Sequence, residues 1–94
     1  MIAVWSNLLR RIRARWNSEE QVRLMGVRIG RDCRFLGGDF GPEPFLVTLG
    51  DHVTVTHGVH FVTHDGGVWV FRDEFPDIDV FAPIRVGNNV FIGF

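Results

Sequence analysis

An imidazole titrates near neutrality, so its neutral form can take a proton from a hydroxyl at physiological pH, a contribution of roughly 10²–10⁴ in rate when well placed. The middle of this chain holds four such rings, His52, His57, His60 and His64, with the carboxylates Asp39, Glu43 and Asp65 nearby in sequence. His64 stands apart, because it ends a run of regular six-residue units and immediately precedes a break running from about Gly66 to Pro83. A side chain at such a corner points away from the core and can face a neighbouring subunit or a ligand cleft beside the loop. Asp39 and Glu43 lie in a Gly/Pro-rich interruption. Either can bind an acceptor or orient a neighbouring histidine; either can also be a plain solvated loop carboxylate.

The break itself carries Trp69, Phe71, Phe75 and Phe81 among Asp73, Glu74, Asp77 and Asp79. Insertions of this kind cost little in chain entropy and commonly carry binding function. Trp69 or Phe71 can stack on a sugar ring, and they can equally fasten the loop to the next subunit. Cys33, the chain's one cysteine, falls at an apolar position of its unit and reads as a small core residue, not a nucleophile.

These residues are positioned by a repeat. Written in sixes, the chain aligns Ile29–Arg34, Leu49–Thr54, Val55–His60, Phe61–Gly66 and Val86–Phe91, with another unit starting at Ile92-Gly93. An aliphatic or aromatic first residue and an apolar fifth residue point inward. Gly and Asp/Asn at the second to fourth places supply the corner conformations that β-branched residues resist. Short strands joined by tight corners, repeated, predict coils that bury their apolar edges only by stacking. Before Gly26 the texture is helical. Val4, Trp5, Leu8, Leu9, Ile12 and Trp16 recur at three- and four-residue steps opposite Arg10, Arg11, Arg13 and Arg15, and Ser18 with Gln21 fits a capping box for a second short helix.

Composition narrows the function. Ten basic residues against eleven acidic leave a net charge of −1, which does not suggest nucleic acid as a partner. Eight arginines do crowd into residues 1–34, a basic front end that can touch a membrane surface or a partner but reads more simply as a solvated helix face. No apolar run approaches the length of about 18 residues that a membrane span needs. The N-terminus lacks the pattern of a signal peptide. A lone cysteine demands no oxidising compartment, so a cytoplasmic location is the expectation.

The stretches Glu43-Pro44-Phe45-Leu46-Val47-Thr48-Leu49-Gly50-Asp51-His52-Val53 and Gly58-Val59-His60-Phe61-Val62-Thr63-His64-Asp65-Gly66-Gly67 resemble the hexapeptide-repeat acyltransferases, in particular the bacterial enzymes that O-acetylate capsule and O-antigen sugars. The resemblance covers about residues 22–94. It implies an all-β, left-handed parallel β-helix over 26–94 with an extruded loop at 66–83, preceded by an α-helical segment over 1–25. It also implies acetyl transfer from acetyl-CoA to a saccharide hydroxyl by a homotrimer, with His64 of the Thr-His-Asp-Gly turn as catalytic base. Glu43, Asp65, Trp69 and Phe71 are then the candidate acceptor-binding residues. Zinc-binding relatives of the same solenoid carry two histidines five residues apart, as His52 and His57 are, but Trp16 and Gln21 stand at the equivalent positions two coils earlier. No metal is expected. The chain stops in mid-unit at Ile92-Gly93-Phe94, so it reads as an N-terminal portion whose missing coils would hold most of the CoA groove. The rival expectation is a non-catalytic solenoid serving as an oligomerisation or scaffold module.

Overall fold

The computed structural model describes residues 6–8 and 18–94. The predicted stripe of Val4, Trp5, Leu9, Ile12 and Trp16 therefore lies outside the described residues. Residues 6–8 are helical, and α1 spans 18–24. Residue 18 is already inside that helix, a boundary within the usual uncertainty of one or two positions. Its C-terminal end is closed by Met25 N–H to the Gln21 carbonyl and Gly26 N–H to the Arg23 carbonyl, with Gly26 at φ 107°. That left-handed residue is what a helix terminus of this type requires.

Six short strands follow: β1 Arg28–Ile29, β2 Arg34–Phe35, β3 Val47–Leu49, β4 Val53–Val55, β5 Ile84–Val86 and β6 Val90–Ile92. They form two three-stranded parallel sheets, ordered β1-β3-β5 and β2-β4-β6. The register stacks Ile29, Leu49 and Val86 in one sheet and Phe35, Val55 and Ile92 in the other. Between the sheets Cys33, Val47, Leu49, Val53 and Val55 are buried, joined by Val27, Phe40, Val59 and Phe61. Each such aliphatic or aromatic side chain taken out of water contributes roughly 1.5–3 kcal/mol. Cys33 also donates its thiol to the Gly50 carbonyl at 3.3 Å, as befits a structural residue.

The corners that carry the chain from one sheet to the other explain the Gly-x-[Asp/Asn] signature. Asp32, His52 and Asn89 each adopt φ 58°, a left-handed conformation in which Asp, Asn and His are enriched. Their predecessors form a ladder: Arg31 N–H donates to Asp51 Oδ1 and Asp51 N–H to Asn88 Oδ1, both at 2.8 Å. Glycine is required in front of Arg31 and Asp51 because these rungs lie close to the next one, whereas the space beside Gly87 is open. A Cβ on Gly50 would meet the Asn88 side chain and the Gly87 carbonyl oxygen, the latter at 2.6 Å. Gly50→Ala should therefore cost about 1–3 kcal/mol through overpacking against backbone that cannot retreat. Chemical denaturation of the two proteins measures it; an unchanged midpoint would show that the rungs can part.

The expectation of an all-β, left-handed β-helix is corrected by this arrangement. Only two walls are built of strands. The third side is held by isolated bridges, Asp39 with His60 in parallel and His64 with Phe81 in antiparallel sense. No closed solenoid forms among the described residues, and with its helical segments the chain is mixed α/β. The physical reason lies in the two interruptions. Gly37 and Gly38 take φ 148° and 105°, and Pro42 and Pro44 lack the N–H that a ladder needs. The chain there turns into a 3₁₀ helix, Pro44–Leu46, where a third wall would need a strand. The second interruption enters another 3₁₀ helix, Gly66–Phe71, and returns through Val80 and Phe81.

Candidate active site

Residues 60–64 run extended, and extended backbone sends successive side chains to opposite faces. Phe61 and Thr63 are buried, whereas His60 and Val62 are exposed and His64 is half-buried. Phe61 is held from below by Phe40, whose ring stacks on it at 5.0 Å between centroids. His64 is thereby presented outward from a packed base. Its backbone differs from the other fourth residues of the six-residue units: Asp32, His52, Gly58 and Asn89 all have positive φ, while His64 pairs across to Phe81. Asp65 N–H to the Val80 carbonyl and Ala82 N–H to the Thr63 carbonyl complete that bridge at 2.8 and 2.9 Å.

Glu43 arrives from the first interruption. It stands just before the Pro44–Leu46 turn, but its carboxylate makes no capping bond there and so remains available. One oxygen accepts the Thr63 hydroxyl at 2.8 Å and the other faces His64 Nδ1 at 2.9 Å. The Thr63 hydroxyl, and after burial's opposing effect His64, hold the Glu43 carboxyl below its ordinary value of 4.5. An ionised carboxylate only accepts, so Nδ1 must carry the ring proton and donate it. The lone pair of the neutral ring is then on Nε2, at the far end of the imidazole. This is the arrangement of a base with its tautomer set by a carboxylate.

The pair has a measurable consequence. A carboxyl whose folded value is depressed contributes stability that is complete above its unfolded value and is lost as pH falls through the folded one. Glu43→Gln should thus unfold at lower denaturant than wild type at neutral pH, and the gap should close as the pH drops through and beneath 4.5. Denaturation series at several pH values measure this, and a gap independent of pH would mean that the fold does not favour the ionised form of Glu43.

Two open clefts flank His64. One, of about 380 Å³, also involves Asp65, Val80 and Pro83; the other, of about 470 Å³, involves Asp39, Pro42 and His60. Asp65 spends Oδ1 on the Gly67 N–H at 2.9 Å, capping the 3₁₀ helix Gly66–Phe71. Trp69 and Phe71 lie on that helix, exposed, and line neither cleft. Thus of the residues singled out in the sequence, the fold brings Glu43 and Asp65 to His64 and leaves the two aromatics aside.

The same geometry adds residues that sequence reasoning had not assigned to the site. Thr63 is buried and tied to Glu43. Phe81 packs against the imidazole in a T-shaped contact at 4.8 Å. Asp79 Oδ1 lies 4.0 Å from His64 Nε2 and 3.8 Å from Arg72 Nη2. A polar residue two places after the inward Phe61 is the one sequence signal that could have found Thr63; nothing local marks Asp79 or Phe81. His60 and Asp39 form a second, looser pair at 3.4 Å, with both side chains about two-thirds exposed, where an ion pair contributes little. His52 is tied to Asn89 at 2.9 Å and His57 packs on Phe94. No group of three or more potential metal ligands occurs among the described residues.

Comparison with curated proteins finds similarity to a protein named CapG from Staphylococcus aureus, 58% identical over 79 residues, which are 81% of this chain and 46% of that relative. The chain thus spans about half the length of the curated relative it matches. No family model matches the sequence, and no solved structure matches it. Among the described residues no helix is long and apolar enough to cross a membrane.

Proposed function

We propose that this chain carries the proton-accepting base of an acyl-CoA-dependent O-acyltransferase, moving an acetyl group from acetyl-CoA to a hydroxyl of a saccharide. The observation that supports it is the His64 ring, its Nδ1 tied at 2.9 Å to an ionised Glu43, on a residue that lines two open clefts. Acyl transfer from a thioester asks little more of a protein than a base, an orientation and donors for the oxyanion, because the acyl group is already activated. In this reading Nε2 takes the proton of the acceptor hydroxyl as its oxygen bonds to the thioester carbonyl carbon. The carbon–sulfur bond then breaks, and the departing thiolate recovers the proton from Nε2. Glu43 keeps Nδ1 protonated throughout and offsets the positive charge that the ring carries between the two transfers. Thr63 holds Glu43 in place.

Homotrimer assembly and action in the cytoplasm belong to the same proposal. Val62, exposed beside His64, offers apolar surface to a neighbouring subunit, and Cys33 is a buried free thiol. The test is release of free thiol from acetyl-CoA in the presence of the protein and a saccharide, with the acetyl ester identified by mass spectrometry. Release that needs the saccharide supports the reading. A defined oligomer in sedimentation velocity with no release would favour an assembly role instead.

A further inference from the structure

We propose that Asp79 selects the acceptor: it takes the hydroxyl next to the one that His64 deprotonates, so that the site prefers a vicinal diol over an isolated hydroxyl. The inference rests on the reading of His64 as the base and names the chemistry of what the base receives. His64 Nε2 and Asp79 Oδ1 face each other at 4.0 Å, too far for a hydrogen bond between them. Both are acceptors, since the ring proton is on Nδ1 and a carboxylate has none to give. Two acceptors at this separation share one small space and call for two donated hydrogens. A lone hydroxyl has a single hydrogen and satisfies one of them. Hydroxyls on adjacent carbons bring two hydrogens in one rigid unit, one for Nε2 and one for Asp79.

The rest of the loop keeps Asp79 at that place. Arg72 Nη2 lies 3.8 Å from the same carboxylate oxygen, and its Nη1 donates to the Pro76 carbonyl at 2.7 Å, so the cation is braced against the loop's own backbone. The residue after Asp79 is already in the bridge to the His64 strand, through the Val80 carbonyl. Phe81 covers one flank of the imidazole. Asp79 is 55% exposed, so water competes for its oxygens and the discrimination it provides is set at the low end for a hydrogen bond to a charged group, about tenfold.

The probes are methyl glucopyranoside, which carries hydroxyls on three consecutive carbons, and its 3-deoxy analogue, in which no two hydroxyls are neighbours. Binding of each is followed by NMR titration at the His64 side chain, and acetyl transfer to each is followed separately, for wild type, Asp79→Ala and Asp79→Asn. Wild type should favour the parent glycoside about tenfold, chiefly in Kd and KM. Asp79→Ala should bring the ratio close to one, and Asp79→Asn, which keeps an accepting oxygen, should restore part of it. A role confined to holding the loop would weaken both probes alike and leave the ratio unchanged. An Asp79-independent ratio in the titration overturns the proposal. A titration preference that depends on Asp79, without transfer to either probe, would uphold it and instead count against His64 as an acyl-transfer base.

Discussion

Replacing His64 by alanine is expected to lower saccharide-dependent thiol release from acetyl-CoA by about 10²–10⁴-fold, the usual contribution of a positioned proton acceptor. The loss should appear chiefly in kcat, because the ring's interaction with the acceptor hydroxyl strengthens as that hydroxyl becomes a nucleophile. The fold should survive. His64 is half-buried, its backbone bridge to Phe81 does not involve the side chain, and what it leaves behind is a Glu43 carboxylate still bonded to Thr63. The unfolding midpoint of the variant, measured beside its kinetics, separates loss of the base from loss of structure. His52→Ala serves as the control, since His52 is engaged at a distant corner with Asn89. Wild-type turnover by the His64 variant would remove the base assignment outright, and equal losses at His52 and His64 would point to a structural cause.

The largest effect on stability is expected at Phe40. Its side chain is 2% exposed, stacks on Phe61 at 5.0 Å and meets Phe35 edge-on at 6.0 Å. Phe40→Ala removes the ring from between these partners and leaves a void that neighbouring strands can close only in part. Changes of this kind cost about 3–5 kcal/mol, a large share of the total for a small domain. Denaturant midpoints measure it, with an unchanged slope as the sign that the native fold is otherwise kept. Phe40→Leu, which retains most of the volume, should lose distinctly less. The consequence reaches the site, because Phe61 supports the extended segment that presents His64. A Phe40→Ala protein no less stable than wild type would mean that this packing does not hold the segment.

The sequence by itself determined the local geometry of the walls and corners. Alternation is a property of extended backbone, so the inward places of Leu49, Val53, Val55 and Phe61 and the outward place of His64 were legible from residue type and spacing. The positive-φ corners at Asp32, His52 and Asn89 were legible too, because few side chains tolerate that conformation. The option that a carboxylate of the first interruption orients a histidine was open in the sequence, and the fold set Glu43 against His64 and Asp39 against His60. What the local pattern did not contain was pairing at a distance. Strand partners stand 20 and 37 residues apart at the corner ladder, and the six-residue period says nothing about whether the chain between them returns as a third strand. Gly and Pro decided that it does not, so isolated bridges replaced the expected closed coil. The same holds at the base. Thr63 and His64 are neighbours in sequence, but Glu43 reaches them across the first interruption and Asp79 and Phe81 across the second. A loop's course is set by the sum of many weak contacts and not by a period, so only the tertiary structure could decide which of its carboxylates would face Nε2.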